Sequence, residues 1–506
     1  MTVAADTPAG TGLYHLAERA RERGDRAAHG RLLKAVLDAD PDHAAAWFNT
    51  GVRLNAEGRH VAACAAFHRV LEVCPDEPRT LVNLGWNEYL RTRYRAAAGL
   101  LKRAVTTDPS LVLGWVNLSL ALSELGDHDA AIMAARSAVT VGPGDPQANM
   151  VLAFALMRVG AWKEAFAGYE WRFAYKLPEF LDYPTPRWDG SHVEHLFVPA
   201  EQGFGDTIQF ARFLPLAAER VGRLTVAVQA ELVSLLAPAL APIEVVPMPH
   251  PTTVGDAFCP LLSLPWSLGL ERPDTVPPLA AHERSDTALS LTRRLPRIGV
   301  VWAGSSEHDN DRWRSMPVEA LCDLTRGQMY SLQVGPKAAD AEALRPLIRP
   351  LPAPRDFAET AAAMCAMDEI VTVDTSAAHL AGSLGVKTWL LLPAHGADPR
   401  WGVGDVTPWY PEMRIVRQTS PGDWRDAVRV VSQGGNMSVA FAKAMNEGHA
   451  RWRRSVWPPG FHIHRGGVFG AMFVLRETGT PVYSSMTPLM LSHYDLAAED
   501  WEPYHG

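Results

Sequence analysis

Cysteine is scarce and unpatterned in this sequence. Cys64, Cys74, Cys259, Cys322 and Cys365 are the five among 506 residues. No two of them form a Cys-x-x-Cys pair, which argues against both a zinc ribbon and a disulfide framework. Long apolar runs are missing as well. No stretch reaches the roughly 18 apolar residues of a membrane span, and the nearest, Leu232 to Val246, is broken by Pro238, Pro242 and Glu244. Met1 to Asp6 lack a basic segment leading into an apolar core, so no signal peptide is read there and the expected compartment is the cytoplasm. Basic charge is not in excess: 48 Lys and Arg against 56 Asp and Glu leave a net charge of -8. That balance offers no general attraction to nucleic acid or to an anionic membrane. What is present, 47% hydrophobic and 21% charged residues, is the composition of folded globular domains. At about 100 to 200 residues per domain the length calls for several of them.

A period of 34 residues governs the first third. Pro41, Pro75, Pro109 and Pro143 fall in register, and so do the bulky Trp47, Leu81 and Trp115, the small Ala63, Ala97 and Ala131, and then Phe67 and Leu101. Bulky side chains on a first helix would fill the space left by small ones on a second, and each proline would end the second helix by removing a donor and restricting the residue before it. Length and residue types resemble the tetratricopeptide repeat, a helix-turn-helix unit that stacks into a superhelix with a concave binding face. A less regular copy precedes the four prolines and a fading one follows, giving about five repeats over residues 10–173. Asn49, Asn83 and Asn117 share one repeat position. Their carboxamides carry both donor and acceptor, and the pattern resembles the asparagine ladder of the O-GlcNAc transferase superhelix, which implies a clamp for a protein or peptide in the groove. Packing between helices is the alternative role for the same position.

After Trp188-Asp189-Gly190 the pattern changes to short β-branched runs alternating with helical stretches. Strands are expected at 196–200, 224–228, 244–247, 297–302, 329–334, 369–373 and 388–392, and strands alternating with helices imply parallel, doubly wound sheets. A proline-rich passage through Pro265, Pro273, Pro277 and Pro278, followed by the polar stretch 282–286, divides two such units. The expected organisation is thus multidomain: an α-solenoid, an α/β region of two Rossmann-like domains over 186–290 and 295–432, and a small α+β domain over 436–506.

Each α/β half carries a loop where such folds bind ligands. In the first, Glu201-Gln202-Gly203-Phe204-Gly205-Asp206-Thr207 joins a strand to a helix, placing Asp206 at the helix N-terminus, where it serves either as a reactive carboxylate or simply as an N-cap. In the second, Val300 to Ser305 leaves a strand and leads to Asp309-Asn310-Asp311-Arg312-Trp313-Arg314-Ser315-Met316-Pro317. Val373-Asp374-Thr375-Ser376-Ala377-Ala378-His379 again joins strand to helix, and hydroxyls with free backbone donors at a helix start suit a diphosphate.

These segments, with Thr407-Pro408-Trp409-Tyr410-Pro411, resemble the bacterial glycosyltransferases that fuse tetratricopeptide repeats to a heptosyltransferase-like GT-B module. The resemblance spans roughly residues 10–432. It implies an inverting, metal-independent transfer of a sugar from a nucleotide-sugar co-substrate, with no other cofactor, to a hydroxyl on a protein such as flagellin or another surface protein. By the same resemblance Asp206 is the general base on an acceptor loop formed with Gln202, Gly203 and Gly205. Gly304, Ser305, Arg312, Arg314, Lys337, Asp374, Thr375, Ser376 and His379 contact the donor, Arg314 standing where the family has lysine. Two departures fall where the donor would sit: Gln333-Val334-Gly335 in place of Gln-Lys-Gly, and His395-Gly396-Ala397-Asp398-Pro399-Arg400 before Trp401 in place of Asp-Trp-Arg-Trp. The Asp309-Asn310-Asp311 triplet does not follow a strand in the manner of a metal-binding Asp-x-Asp, and no metal is expected. Beyond Gly434-Gly435 a short helix with Phe441, Ala444 and Met445, the run Phe461-His462-Ile463-His464, a strand near 471–475 and the ending 491–502 resemble a small phage-associated domain that includes Thoeris anti-defence proteins. Alternatives to the transferase are therefore a non-catalytic repeat scaffold with a degenerate sugar-nucleotide module, or a phage-defence protein whose C-terminal domain binds a nucleotide signal.

Overall fold

A computed structural model describes residues 8–175, 184–248, 255–275, 295–307, 310–345 and 347–434, and the strands at 451–454, 461–465, 472–476 and 501–503. The chain divides into two compact units, Met1–Asp182 and Tyr183–Gly506.

The first unit is helical. Its pairs are α1 (Pro8–Glu22) with α2 (Arg26–Ala39), α3 (Ala44–Ala56) with α4 (His60–Val73), α5 (Pro78–Leu90) with α6 (Tyr94–Thr107), α7 (Val112–Glu124) with α8 (His128–Val141), and α9 (Pro146–Val159) with α10 (Trp162–Tyr169); a short α11 (Arg172–Tyr175) follows. Every second helix from α2 to α8 stops two residues before its proline, as the period implied. Ala63, Ala97, Ala131 and Ala165 are all fully buried. Gly51 faces the Phe67 ring so closely that a Cβ there would stand 2.5 Å from it, and Gly85 meets Leu101 in the same way at 2.7 Å. Small residues on the first helix thus admit large ones from the second, the interlocking that close-packed interiors require.

Two further features follow the same period. The turn between paired helices needs a left-handed residue, and Gly24, Gly58, Gly126 and Gly160 supply it with φ of 72°, 71°, 78° and 80°. At the remaining turn the same position is Thr92, with φ of 60°, a strained conformation for a β-branched residue. The carbonyl of each register proline also finds a donor. Trp47 Nε1 gives to Pro41 O at 2.7 Å, Trp115 Nε1 to Pro109 O at 2.9 Å and Asn149 Nδ2 to Pro143 O at 3.0 Å. Leu81 has no such donor, and Arg103 Nη2 covers Pro75 O at 2.8 Å instead. The bulky position therefore seals a helix end as well as filling a space.

The second unit contains two parallel sheets. The first runs β3-β2-β1-β4, from β1 (His195–Pro199), β2 (Arg223–Val228), β3 (Glu244–Pro247) and β4 (Ala257–Phe258), with helices α12 (Phe204–Phe210), α13 (Leu214–Ala218), α14 (Val233–Leu240) and α15 (Leu264–Ser267). The second runs β10-β9-β8-β5-β6-β7, from β5 (Arg297–Val301), β6 (Gln328–Ser331), β7 (Ile348–Arg349), β8 (Glu369–Val373), β9 (Thr388–Leu392) and β10 (Met413–Arg417), with α16 (Asp311–Arg314), α17 (Phe357–Cys365), α18 (Ser376–Ser383) and α19 (Arg425–Ser432). Starting from β5, that is the doubly wound order 3-2-1-4-5-6, whose switch point lies between β5 and β8. The first sheet repeats the start of the same order around β1 and β4. Seven strands lie where the sequence placed them to within three residues; β4, β7 and β10 were not anticipated. Of the passage expected to divide the two halves, Pro265 lies in α15 and Pro273 opens the 3-10 turn Pro273–Thr275, while Pro277, Pro278 and 282–286 lie outside the described residues.

A third sheet, antiparallel and ordered β13-β12-β11-β14, is formed by β11 (Arg451–Arg454), β12 (Phe461–Arg465), β13 (Met472–Arg476) and β14 (Trp501–Pro503). The expected helix around Phe441 to Met445, and the ending up to Asp500, lie outside the described residues. Among the described residues no helix is long and apolar enough to cross a membrane.

Candidate functional site

The loops after β1 and β8 bring the two halves of the α/β unit together. Glu201 is buried and accepts from Leu262 N at 3.1 Å, which fixes the exit of β1. Gln202 follows with φ of 63°, a non-glycine residue held left-handed by its loop, its carbonyl accepting from Gln229 Nε2 at 3.1 Å. Gly203 N then donates to Asp206 Oδ2 at 3.1 Å, so Asp206 closes the first turn of α12 in the manner of a cap. Gly205 has a different task. A Cβ on it would come within 2.7 Å of His379 Cδ2 and 3.4 Å of Ser376 Cα, so the absence of a side chain lets the start of α12 lie directly on the start of α18.

From the second half comes Arg400, in the 3-10 turn Pro399–Trp401. Asp398 holds it, with Nε 3.0 Å from Oδ1 and Nη2 2.6 Å from Oδ2. Nη1 crosses to α12, donating to Gln209 Oε1 at 2.9 Å and standing 2.6 Å from Asp206 Oδ1 in an ion-pair contact. The side chains of Arg400 and Asp206 are only 13% and 16% exposed, so the pair is sheltered from bulk screening. Arg212, buried, donates to Trp409 O at 2.7 Å and lies over the Trp409 and Tyr410 rings. Phe204 packs on Phe357 at a centroid distance of 5.2 Å.

Beneath this contact lies a tight polar cluster. Trp401 Nε1 donates to Asp374 Oδ1 at 2.9 Å and stacks on His379, with ring centroids 4.8 Å apart. His379 Nδ1 is 3.1 Å from the Tyr410 hydroxyl. Burial first, and the neighbouring Asp398 carboxylate second, push the Asp374 carboxyl up to about 6. Burial acts on Asp398 in the same direction, but Arg400 outweighs it and holds that carboxyl below its ordinary value. Burial and then Arg400 press the His379 imidazole down to about 4, leaving it neutral at pH 7. Burial raises the Tyr410 phenol above its ordinary range.

The residues expected to hold a donor divide into two groups. Gly304, Arg314 and Asp374 come together: a Cβ on Gly304 would stand 2.5 Å from Arg314 Nη2, and Arg314 Nη1 donates to Asp374 O at 3.2 Å. Thr375 caps α18, accepting from Ala377 N at 3.3 Å, and Ser376 begins that helix. Arg312 and Lys337 instead line a cleft of about 600 Å³ at the end of β5, with Ser315, Glu319, Asp340 and the buried Trp302. The Ser305 hydroxyl accepts from Glu307 N at 3.3 Å and the residue is exposed. Gln333, at one of the two departures, is structural: its Oε1 accepts from Trp302 N and Ala303 N at 3.1 and 2.9 Å. Asp309 of the triplet lies outside the described residues.

The three asparagines of the repeats do not form a uniform row. Asn49 Nδ2 donates to Tyr14 Oη at 2.9 Å and Glu18 Oε1 at 2.7 Å, Asn83 Nδ2 turns back to Arg79 O at 2.8 Å, and Asn117 is buried. Two of them serve neighbouring side chains or their own helix, and the third faces the packing. Sequence reasoning missed Gln209, Arg212, Asp398 and Arg400. The signal available for the last two was the departure of 395–400 from the family pattern.

Residues 14–78 and 82–149 match the tetratricopeptide repeat family model. The amino-terminal unit is a tetratricopeptide repeat array. The chain is also similar to Protein FlbA of Caulobacter vibrioides, 25% identical over 466 residues covering 82% of this chain and 70% of that protein, so the likeness runs well past the repeats into the α/β unit. It is similar to BBSome complex member BBS4 of Mus musculus at 28% identity over 161 residues, 32% of this chain and 31% of that protein. Among solved structures, MamA from Desulfovibrio magneticus RS-1 is similar at 20% identity with a TM-score of 0.31, covering 35% of this chain and 99% of that one.

Proposed function

We propose that the chain is a scaffold whose tetratricopeptide repeats engage a protein partner, and whose α/β unit is a sugar-nucleotide-type fold that works by binding rather than by transfer. The single observation behind this reading is the engagement of Asp206. A general base must present a lone pair to the hydroxyl it deprotonates. Here Oδ2 accepts from Gly203 N, and Oδ1, buried and without a hydrogen bond of its own, stands 2.6 Å from Arg400 Nη1 in the opposite half, so the carboxylate is shielded and charge-paired rather than open to an acceptor. Repeats of this kind stack into concave binding surfaces, and BBS4, similar over a third of this chain, is named as a member of a complex.

A second reading, the inverting GT-B glycosyltransferase, is favoured by one arrangement. Asp206 does face the second half, and Gly304, Arg314 and Asp374 gather near the switch point of the larger sheet. Incubation with a panel of nucleotide sugars separates the two readings. The scaffold reading expects neither donor hydrolysis nor a mass increase on a captured partner, with wild type and Asp206→Asn alike. Turnover by wild type that disappears in Asp206→Asn would establish the transferase.

A further inference from the structure

Arg400 is anchored on its own side before it reaches across. Asp398 grips it through two nitrogens, Trp409 Nε1 donates to its carbonyl at 3.1 Å, and the adjoining Trp401 is tied to Asp374. The third nitrogen meets Asp206 and Gln209 of α12, some 190 residues earlier in the chain. Other contacts between the halves among the described residues involve no ion pair: Gly205 against His379 and Phe204 against Phe357 are steric or apolar, Arg212 meets a backbone carbonyl, and the Asp356 carboxylate is hydrogen-bonded by the Ser234 side chain. Separating a shielded ion pair adds a cost the apolar contacts lack, because each charge is left without its partner and must be solvated again.

We propose that Arg400 is a latch that keeps the two halves of the α/β unit closed and, while closed, shields the Asp206 carboxylate from an incoming ligand. The latch is anchored by Asp398 and received by Asp206 and Gln209. Its planar fork is essential, because one guanidinium serves both Asp398 oxygens and still reaches α12; a lysine ammonium is a point charge without that span. The device goes beyond the scaffold reading and is indifferent to it, since a closed module can withhold a base or a binding group alike.

Amide hydrogen exchange on the full chain tests the latch without any donor. Arg400→Met and Asp206→Asn remove the same contact from opposite sides. Each should speed exchange in α12 and α18 by about 30-fold or more, as expected for truncating one partner of a sheltered charge pair, while the strands β5 and β8 keep their protection. Arg400→Lys should fall between wild type and Arg400→Met. Unchanged exchange in α12 and α18 would overturn the proposal, as would a uniform rise that includes β5 and β8. If Arg400→Met does not fold, Asp206→Asn decides alone, because it keeps the side-chain shape and removes only the charge.

Discussion

The repeat array and the α/β unit are held together over different sequence distances. In the array the partners of a residue lie within about one repeat: Phe67 against Gly51, Trp115 against Pro109, Arg103 against Pro75. In the α/β unit the decisive polar contacts join residues far apart, Asp206 with Arg400 and Arg212 with Trp409. A periodic array can therefore be damaged one interlock at a time. The junction of the α/β halves instead rests on contacts between residues far apart in the chain.

The largest effect expected from breaking this contrast is in the array. Phe67→Ala empties a fully buried site against Gly51 and should cost about 3–5 kcal/mol, seen as a lower melting temperature for the first unit with the transition of the second unit unmoved. Next comes Gly205→Ala in the junction. The added Cβ meets His379 and the Ser376 backbone, an overpacking worth about 1–3 kcal/mol, and calorimetry should place the loss in the second unit alone. Asp145→Ala removes the cap on α9, where the carboxylate accepts from Ala148 N at 2.8 Å, and should cost the array about 1 kcal/mol in denaturant unfolding. The smallest effect is a gain. Thr92→Gly replaces the strained member of the turn series and should stabilise the array by about 0.5–1 kcal/mol, the relief of a left-handed β-branched residue less the entropy of glycine.

Acidity sharpens the comparison from the junction side. The Asp374 carboxyl, raised to about 6, binds protons in the folded unit before it does in the unfolded chain. Its contribution therefore grows as pH falls from 7 toward 4 and is lost as pH rises through 6. His379, depressed to about 4, has the opposite sign over the same window: its imidazole charges on unfolding, so stability falls as pH drops through 6.5. Asp374→Asn removes the first contribution. The melting temperature of the second unit should then fall more steeply between pH 7 and 4.5 than in wild type.

What the sequence disclosed follows the same division. Helix pairs, their prolines and their buried alanines were legible because the information repeats every 34 residues. The glycine series at 24, 58, 126 and 160 had the same period and was equally available. Strands such as β8 and β9 were legible as short runs of β-branched and apolar residues. The two-residue β4 and β7 carried no pattern long enough to read, and β10 interleaves Arg414 and Arg417 with its apolar residues. At the site, Asp206 and Asp374 were picked out from loop positions beside strand ends, and Arg314 from the resemblance. Arg400 was not, because nothing near residue 400 states that its partner is residue 206. The asparagine positions share a register but not their surroundings: a register fixes where a side chain starts, and the neighbour it finds, Tyr14 for Asn49 or the packing around Asn117, differs from repeat to repeat.

The most direct test is a double-mutant cycle on the unfolding of the second unit, with Asp206→Asn, Arg400→Met and both together. A contact between these two side chains predicts strong non-additivity, a coupling of about 1.5 kcal/mol or more. Additive losses, with a coupling near zero, would mean that the carboxylate and the guanidinium act independently and that Asp206 remains free for another role.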